Sequence, residues 1–220
     1  MGPNDSCQNI RSVSISNVLC VLSLCALSNA LQAQTSEHTL PTAQNFEGFA
    51  LQAAVGYQPY AVNFNQIRIA NTNIKLNDQN SYNHSTPYFI GASYTAAISH
   101  DITLGAQIEV NPINQQYVLS LLPGYAFTSE IQGYLKLAWV NAVVTVDQGS
   151  NQSKISATVN GATAGLGFKQ FWTPNWYGFI EANYVKMDTI KFNTPINGIP
   201  LNGNMDYSGY NAMIGIGYKF

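Results

Sequence analysis

Large apolar residues alternate with small or polar ones along most of the chain after Glu47. The clearest example is the last segment, where one set of alternate positions is apolar throughout. That set consists of Tyr210, Ala212, Ile214, Ile216, Tyr218 and Phe220. A repeat of two residues is the side-chain period of a β-strand, so the alternation predicts strands that each have one apolar face.

Eight segments follow this pattern, at residues 49–57, 88–98, 102–110, 117–127, 131–144, 162–171, 177–186 and 207–220. Short turns at residues 99–101, 128–130 and 172–175 alternate with long polar connections at residues 58–86, 147–161 and 187–206, and residues 111–116 are a short exception. Short turns at one rim and long loops at the other are typical of membrane barrels. The sequence predicts an all-β fold, a transmembrane antiparallel up-and-down β-barrel of eight strands, with the start and end of the barrel on the turn side.

Aromatic residues form two predicted rings when the strands run alternately outward and back. The loop-side ring contains Tyr57, Tyr88, Tyr117, Trp139, Tyr184 and Tyr210. The turn-side ring contains Tyr125, Phe127, Phe168, Trp172, Trp176, Tyr177, Tyr218 and Phe220. Tyrosine and tryptophan are most stable at the two water interfaces of a membrane, so the rings support a membrane-spanning barrel.

The longest apolar run lies at residues 18–27, after Arg11, and it is too short to span a bilayer. Small residues follow it, with predicted cleavage after Ala30 or Ala33, as in a secretory signal peptide. The predicted organisation is a signal peptide at residues 1–33, a polar periplasmic segment at residues 34–46 and the barrel at residues 47–220. The three cysteines, Cys7, Cys20 and Cys25, all lie in the signal peptide, so no disulfide is expected in the exported chain.

Only 9% of the residues are charged and the formal net charge is −2, whereas about 25% of the residues of an ordinary soluble domain are charged. Arg68 is the single arginine after the signal peptide and no basic patch is present, so nucleic acid is excluded as a partner. The 46% content of hydrophobic residues excludes a disordered chain.

Four charged residues fall on the inward face of the predicted strands: Glu109, Lys136, Lys169 and Glu181. An unpaired charge in a dry interior costs on the order of several kcal/mol. We therefore expect these charges to pair with one another or with Gln52, Gln107, Asn183 and Asn211, and so to plug the lumen. A gated ion path through exchange of partners is the alternative interpretation.

The sequence contains no convincing constellation for catalysis. His84 and Ser85 lie in a predicted loop without an acid in phase, and the three histidines share no metal-ligand spacing. The pair Gly165 and Gly167 does not open a helix after a strand, so a nucleotide-binding loop is not predicted. We expect no catalytic residue, no metal site and no cofactor.

The predicted strands and the C-terminal segment together resemble the eight-stranded outer-membrane barrels of Gram-negative bacteria, the OmpA-like and opacity-type surface proteins. The most specific element is the outward-facing set Tyr210, Ile214, Ile216, Tyr218 and Phe220. Residues 119–128 (LSLLPGYAFT) also resemble a strand common in such barrels.

The resemblance implies that the C-terminal set is a signal for the barrel-assembly machinery, that the protein resides in the cell outer membrane, and that outer-membrane lipid and lipopolysaccharide surround it. It also implies a structural role with adhesin-like or antigen-like loops that meet a host or environmental ligand, and no enzymatic activity. Two alternatives remain open at this point. One is a small ion channel or lipid-modifying enzyme on the same barrel, and the other is a soluble ligand-binding barrel of the lipocalin type.

Overall fold

The alternating segments form antiparallel strands in the computed structural model, which describes residues 42–113, 115–146, 155–196 and 199–220. The strands within these ranges are β1 (Gly48–Ile69), β2 (Gln79–Ser85), β3 (Tyr88–Ala97), β4 (Ile102–Asn111), β5 (Gln116–Ala126), β6 (Ile131–Val146), β7 (Ile155–Phe171), β8 (Trp176–Met187), β9 (Ile190–Ile196) and β10 (Ile199–Lys219). A 3-10 helix, Thr42–Phe46, precedes β1. No helix among the described residues is both long and apolar enough to cross a membrane.

Eight of these strands close into a ring in the order β1, β3, β4, β5, β6, β7, β8 and β10. The ring closes because β1 pairs antiparallel with β10, with Ala50 opposite Lys219 and Tyr57 opposite Ala212. Closure pairs the backbone groups of the first and last strands and leaves no open edge in the ring. The predicted eight-stranded antiparallel barrel is confirmed.

Two hairpins continue beyond the ring at the loop-side end, where β2 pairs with β1 and β9 pairs with β10. Because β1 and β10 also pair there, these strands form a four-stranded extension in the order β2, β1, β10, β9. The extension comprises β2, β9, residues 58–69 of β1 and residues 199–209 of β10. The prediction of loops at 58–86 and 187–206 is therefore wrong over most of both ranges, and His84 and Ser85 lie in β2.

The connections at residues 58–86 and 187–206 are rich in turn-forming residues, although parts of them also have the alternation typical of a strand. Tyr60 and Phe64 alternate with asparagine and small residues, and their rings find partners across the sheet. The rings of Tyr60 and Tyr207 stack with centroids 5.0 Å apart, and those of Phe64 and Phe192 meet edge to face at 6.2 Å. These cross-strand contacts stabilise strands in which asparagine is intrinsically unfavourable.

The ring exposes its apolar face and buries its polar face. Outward side chains near the middle of the barrel include Leu51, Ile90, Leu104, Ile108, Leu119, Leu121, Leu135, Leu137, Leu166 and Ile214, all at least 40% exposed. The buried inward set includes Gln52, Ser93, Thr95, Gln107, Ser120, Thr163, Asn183 and Asn211. A lipocalin-type barrel has the opposite arrangement, so that alternative is wrong.

The loop-side aromatic ring faces outward as predicted, and the turn-side ring does so with one exception. Tyr177, predicted to lie in the outer ring beside Trp176, is fully buried inside the barrel, whereas Trp176 is 46% exposed. Consecutive residues of a strand point to opposite faces, so both could not lie on the exterior. Tyr218 completes this part of the outer ring, with its ring centroid 5.0 Å from that of Trp176.

The 3-10 helix packs into the turn-side end of the barrel. Ala43 and Phe46 are buried there, and the ring of Phe46 meets that of Phe171 edge to face at 5.4 Å. The backbone N–H of Ala43 donates to the carbonyl oxygen of His100 at 2.9 Å. Residues 34–46 are predicted to be only a polar segment, whereas residues 42–46 form this helix and help to close the turn-side end of the barrel. The predicted signal peptide, residues 1–33, lies outside the described residues and stays a prediction.

Candidate functional site

The four predicted lumen charges come from four strands, because each occupies an inward position of its own strand. Glu109 lies on β4, Lys136 on β6, Lys169 on β7 and Glu181 on β8. Each residue is at most 7% exposed. Buried charges of this kind are stable only with close partners, so their geometry shows what this layer of the lumen does.

Lys136 holds both acidic residues together. Its Nζ lies 2.6 Å from Oε2 of Glu109 and 2.8 Å from Oε2 of Glu181. The hydroxyl of Tyr134 donates to Oε1 of Glu181 at 2.8 Å, and the amide of Asn183 donates to Oε2 at 3.2 Å. We call Glu109, Lys136 and Glu181 the ion cluster; it ties strands β4, β6 and β8 together across the lumen.

Lys169 lies inside the barrel but does not join the ion cluster. Its Nζ is 4.6 Å from the ring centroid of Tyr177 and 5.8 Å from that of Tyr134, which are cation–π distances. No carboxylate of the described residues forms an ion pair with it. The register explains why: Lys169 is opposite Phe179, two residues nearer the turn side than Glu181.

The predicted amide partners divide between these groups. Asn183 donates to Glu181 and also to Oδ1 of Asn211, the latter at 2.8 Å. Gln52 accepts a hydrogen bond of 3.0 Å from the hydroxyl of Tyr177. Tyr134 and Tyr177 are lumen residues that the sequence prediction does not include, although each is in strand phase with an inward charged residue. Tyr134 lies two positions before Lys136, and Tyr177 lies four positions before Glu181.

Strand β8 shows how the lumen is layered. Its inward residues, from the turn side to the loop side, are Tyr177, Phe179, Glu181, Asn183, Val185 and Met187. The first two join a turn-side apolar cluster with Ala43, Phe46, Ala50, Ala126 and Phe171. The last two join a loop-side apolar cluster with Phe89, Val118, Val140, Val159 and Met213. The ion cluster therefore lies between two apolar layers.

Glycine allows the large lumen side chains to fit. A Cβ atom at Gly217 would lie 2.1 Å from the ring of Tyr177, and one at Gly167 would lie 2.3 Å from the ring of Tyr134. Both distances are far below van der Waals contact, so these aromatic rings occupy the space that a side chain on the neighbouring strand would need. The strand glycines serve lumen packing in a barrel whose interior is only wide enough for side chains.

The other candidate residues lie apart from the lumen. The predicted assembly set Tyr210, Ile214, Ile216, Tyr218 and Phe220 lies on the outer face of β10 and at its end. Phe220 is 66% exposed, and its N–H donates to the carbonyl oxygen of Phe49 at 2.9 Å. His84 packs against Tyr57 with ring centroids 5.8 Å apart. Among the described residues, no group of three or more His, Cys, Asp or Glu side chains is arranged to hold a metal ion.

Comparison with known proteins finds similarity only at the level of structure. No family model and no curated protein matches the chain. OprG, an outer membrane protein from Pseudomonas aeruginosa, matches 79% of this chain and 96% of its own length, with a TM-score of 0.51 and 16% identity. Neisserial surface protein A covers 79% of this chain and 98% of its own, with a TM-score of 0.43 and 15% identity.

Ail, the attachment invasion locus protein of Yersinia pestis, covers 79% of this chain and 99% of its own length, with a TM-score of 0.44 and 15% identity. The similarity to OprG decides the fold class. The fold is that of an outer-membrane β-barrel. The exterior agrees with it physically, because each Å² of apolar surface left in water would cost about 25 cal/mol, whereas a lipid-facing barrel carries an apolar band between two aromatic rings. The exterior is therefore that of a membrane-spanning barrel.

Proposed function

We propose that this outer-membrane barrel is a closed structural anchor that displays the four-stranded extension at the cell surface for binding. The observation that carries the proposal is the filled lumen, in which the ion cluster lies between two apolar layers. Such a lumen suits an anchor better than a pore. On this proposal the barrel catalyses no reaction, and its specificity lies in the extension and the connections at that end.

The orientation follows from the position of the two ends of the barrel strands. Gly48 and Lys219 both lie at the turn side, together with the short turns between β3 and β4, β5 and β6, and β7 and β8. Membrane barrels of this type place the short turns in the periplasm and the long connections outside. The extension then stands outside the cell, where a surface ligand can reach it.

We expect purified protein in planar lipid bilayers to give no stepwise current at any salt concentration. The variant Lys136→Ala is expected to stay closed as well, because the apolar clusters on both sides of the ion cluster remain. The variant Lys169→Ala, which removes a lysine outside the ion cluster, is the matched control. Stable current steps in the wild-type protein would contradict the closed-anchor proposal.

A gated ion path is the second candidate function, and one observation favours it. Lys136 is held between two carboxylates, while Lys169 nearby has no carboxylate partner among the described residues. Exchange of partners between the two lysines would rearrange the lumen. Current steps that differ between Lys136→Ala and Lys169→Ala would support this function over the closed anchor.

We also propose that the C-terminal set directs assembly of the barrel in the outer membrane. We expect Phe220→Ser to lower the amount of assembled barrel in cells severalfold, because the exposed ring that the assembly machinery contacts is lost. Phe127→Ser, at an outward turn-side position that is 56% exposed, is the matched control and should assemble normally. Equal losses in both variants, measured by heat-dependent gel migration of membrane fractions, would contradict this role of Phe220.

A further inference from the structure

The outer face of the four-stranded extension carries an array of asparagine residues. The outward positions include Asn80, Tyr82 and His84 on β2, Asn63 and Asn65 on β1, Asn202, Asn204 and Asp206 on β10, and Lys191 and Asn193 on β9. The register places them side by side: Asn63 is opposite both Asn80 and Asp206, Asn65 is opposite Asn204, and Asn202 is opposite Asn193. We call this surface the amide face.

The opposite face of the extension is built differently. It carries the stacked pair Tyr60 and Tyr207, the edge-to-face pair Phe64 and Phe192, and the buried side chain of Met205. Gln58 donates to the hydroxyl of Tyr207 at 3.1 Å, and burial together with the neighbouring Tyr60 raises the pKa of Tyr207. The apolar contacts that stabilise the extension therefore lie on this face and leave the amide face available.

The asparagines of the amide face lie well above the hydrocarbon of the membrane, whereas His84, whose ring is 5.8 Å from that of Tyr57, lies near the loop-side aromatic ring. Tyr57, in the loop-side aromatic ring, and Asn63 lie on the same face of β1, six residues apart. At roughly 3.3 Å per residue and a strand tilt of about 40°, Asn63 stands about 15 Å above that ring. The polar region on each side of a bilayer is only about 5–8 Å thick, so the asparagines of the amide face lie beyond phospholipid headgroups, at the level of the sugar chains of outer-leaflet glycolipid.

The chemistry of the amide face matches the hydroxyl groups of sugars. An amide side chain both donates and accepts hydrogen bonds, as every sugar hydroxyl does. Neighbouring side chains on one sheet face lie about 5 Å apart across strands and about 7 Å apart along a strand, which is the scale of one sugar ring. Tyr82, 78% exposed, adds a flat apolar ring. The acid on this face is occupied, since Asp206 Oδ2 accepts from Asn65 at 2.7 Å and Oδ1 accepts from Thr189.

We propose that the amide face binds the saccharide of the lipopolysaccharide that surrounds the barrel in the outer leaflet. Asparagine amides hydrogen-bond the sugar hydroxyls, and Tyr82 packs against a sugar ring. The same outward face of β1 and β10 thus contacts lipid hydrocarbon in the ring of the barrel and lipid-linked sugar in the extension. This inference rests on the proposed function, because it requires the extension to stand outside the cell.

The test uses the full-length protein in nanodiscs and measures the binding of three probes: the core oligosaccharide released from purified lipopolysaccharide, intact lipopolysaccharide, and lipid A without saccharide. The variant Asn80→Ala/Tyr82→Ala alters the amide face. The matched control Ser81→Ala/Asn83→Ala alters the same strand on its opposite face. We expect the first variant to bind the oligosaccharide and intact lipopolysaccharide about tenfold more weakly, and the control to bind them as the wild type does.

Equal binding by the two double variants would overturn the inference, and so would wild-type binding of lipid A as tight as that of intact lipopolysaccharide. The inference would also be overturned if the protein in nanodiscs bound a soluble protein through the amide face and did not bind the oligosaccharide. Heat-dependent gel migration reports whether each variant is assembled, and Tyr82→Ala alone repeats the measurement if the double variant is not. Labelling of Asn73→Cys, in the exposed connection between β1 and β2, on intact cells separates the two proposals: no labelling contradicts the proposed function, whereas labelling without saccharide binding contradicts only this inference.

Discussion

Replacing Lys136 with methionine lowers the free energy of unfolding of the barrel by about 3–5 kcal/mol, the cost of leaving buried carboxylates without their partner. Glu109 and Glu181 both lie within 2.8 Å of the Lys136 ammonium group, and neither side chain is solvent-exposed. In the variant the two acids face each other without the intervening positive charge. Urea unfolding of the protein in detergent, followed by heat-dependent gel migration, measures the change.

Two further variants show whether this loss comes from charge or from packing. Lys169→Met removes an equally buried lysine that has no carboxylate partner among the described residues, and it changes the free energy of unfolding by less than about 2 kcal/mol. The triple variant Lys136→Met/Glu109→Gln/Glu181→Gln removes the whole ion cluster and restores most of the lost stability, because no charge remains unpaired. Equal effects of Lys136→Met and Lys169→Met would contradict the role assigned to the ion cluster.

Replacing Leu137 with arginine lowers the free energy of unfolding in a lipid bilayer by about 2–4 kcal/mol, as expected for a cationic side chain at the midplane of a barrel exterior. Leu137 is 52% exposed and opposite Leu121 on β5. It lies between Gly133, which is opposite Phe168 of the turn-side ring, and Trp139 of the loop-side ring. Reversible unfolding in lipid vesicles gives the value.

The matched control is Leu76→Arg, which makes the same substitution in the turn between β1 and β2. Leu76 is 38% exposed and stands at the far end of the extension, so arginine there meets water and changes the free energy of unfolding by less than about 0.5 kcal/mol. A Leu137→Arg variant as stable as Leu76→Arg would mean that the exterior of the ring does not contact lipid.

The barrel and its lumen could largely be predicted from the sequence because strand phase is a local property. Glu109 and Lys136 occupy inward positions, and the period of two residues then gives the orientation of their neighbours on the same strands. The same rule predicts that Tyr177 faces the lumen, because it directly follows the outward residue Trp176. Strand phase does not predict which inward charges pair with each other. Lys169 has the correct phase, but its height in the barrel depends on the register between β7 and β8.

Two other features depend on contacts between distant parts of the chain. The extension consists of residues with weak strand propensity, and it forms because Tyr60 meets Tyr207 and Phe64 meets Phe192 across strands. The 3-10 helix carries Phe46 into the turn-side end of the barrel, where Phe171 is its partner. None of these three aromatic pairs leaves a periodic signal, since the two members of each pair are separated by more than 100 positions in the chain.

The sequence by itself determined the strands of the ring, the apolar exterior and the charged interior. Consecutive residues of a strand point to opposite faces, so the alternation can be recognised from neighbouring residues alone. Only the tertiary structure decided which charges meet, how far the strands continue above the ring, and what closes the lumen. These depend on register and closure, which bring together residues that are far apart in the chain. The amide face belongs to this second group, since its asparagines form one surface only when β2, β1, β10 and β9 lie side by side.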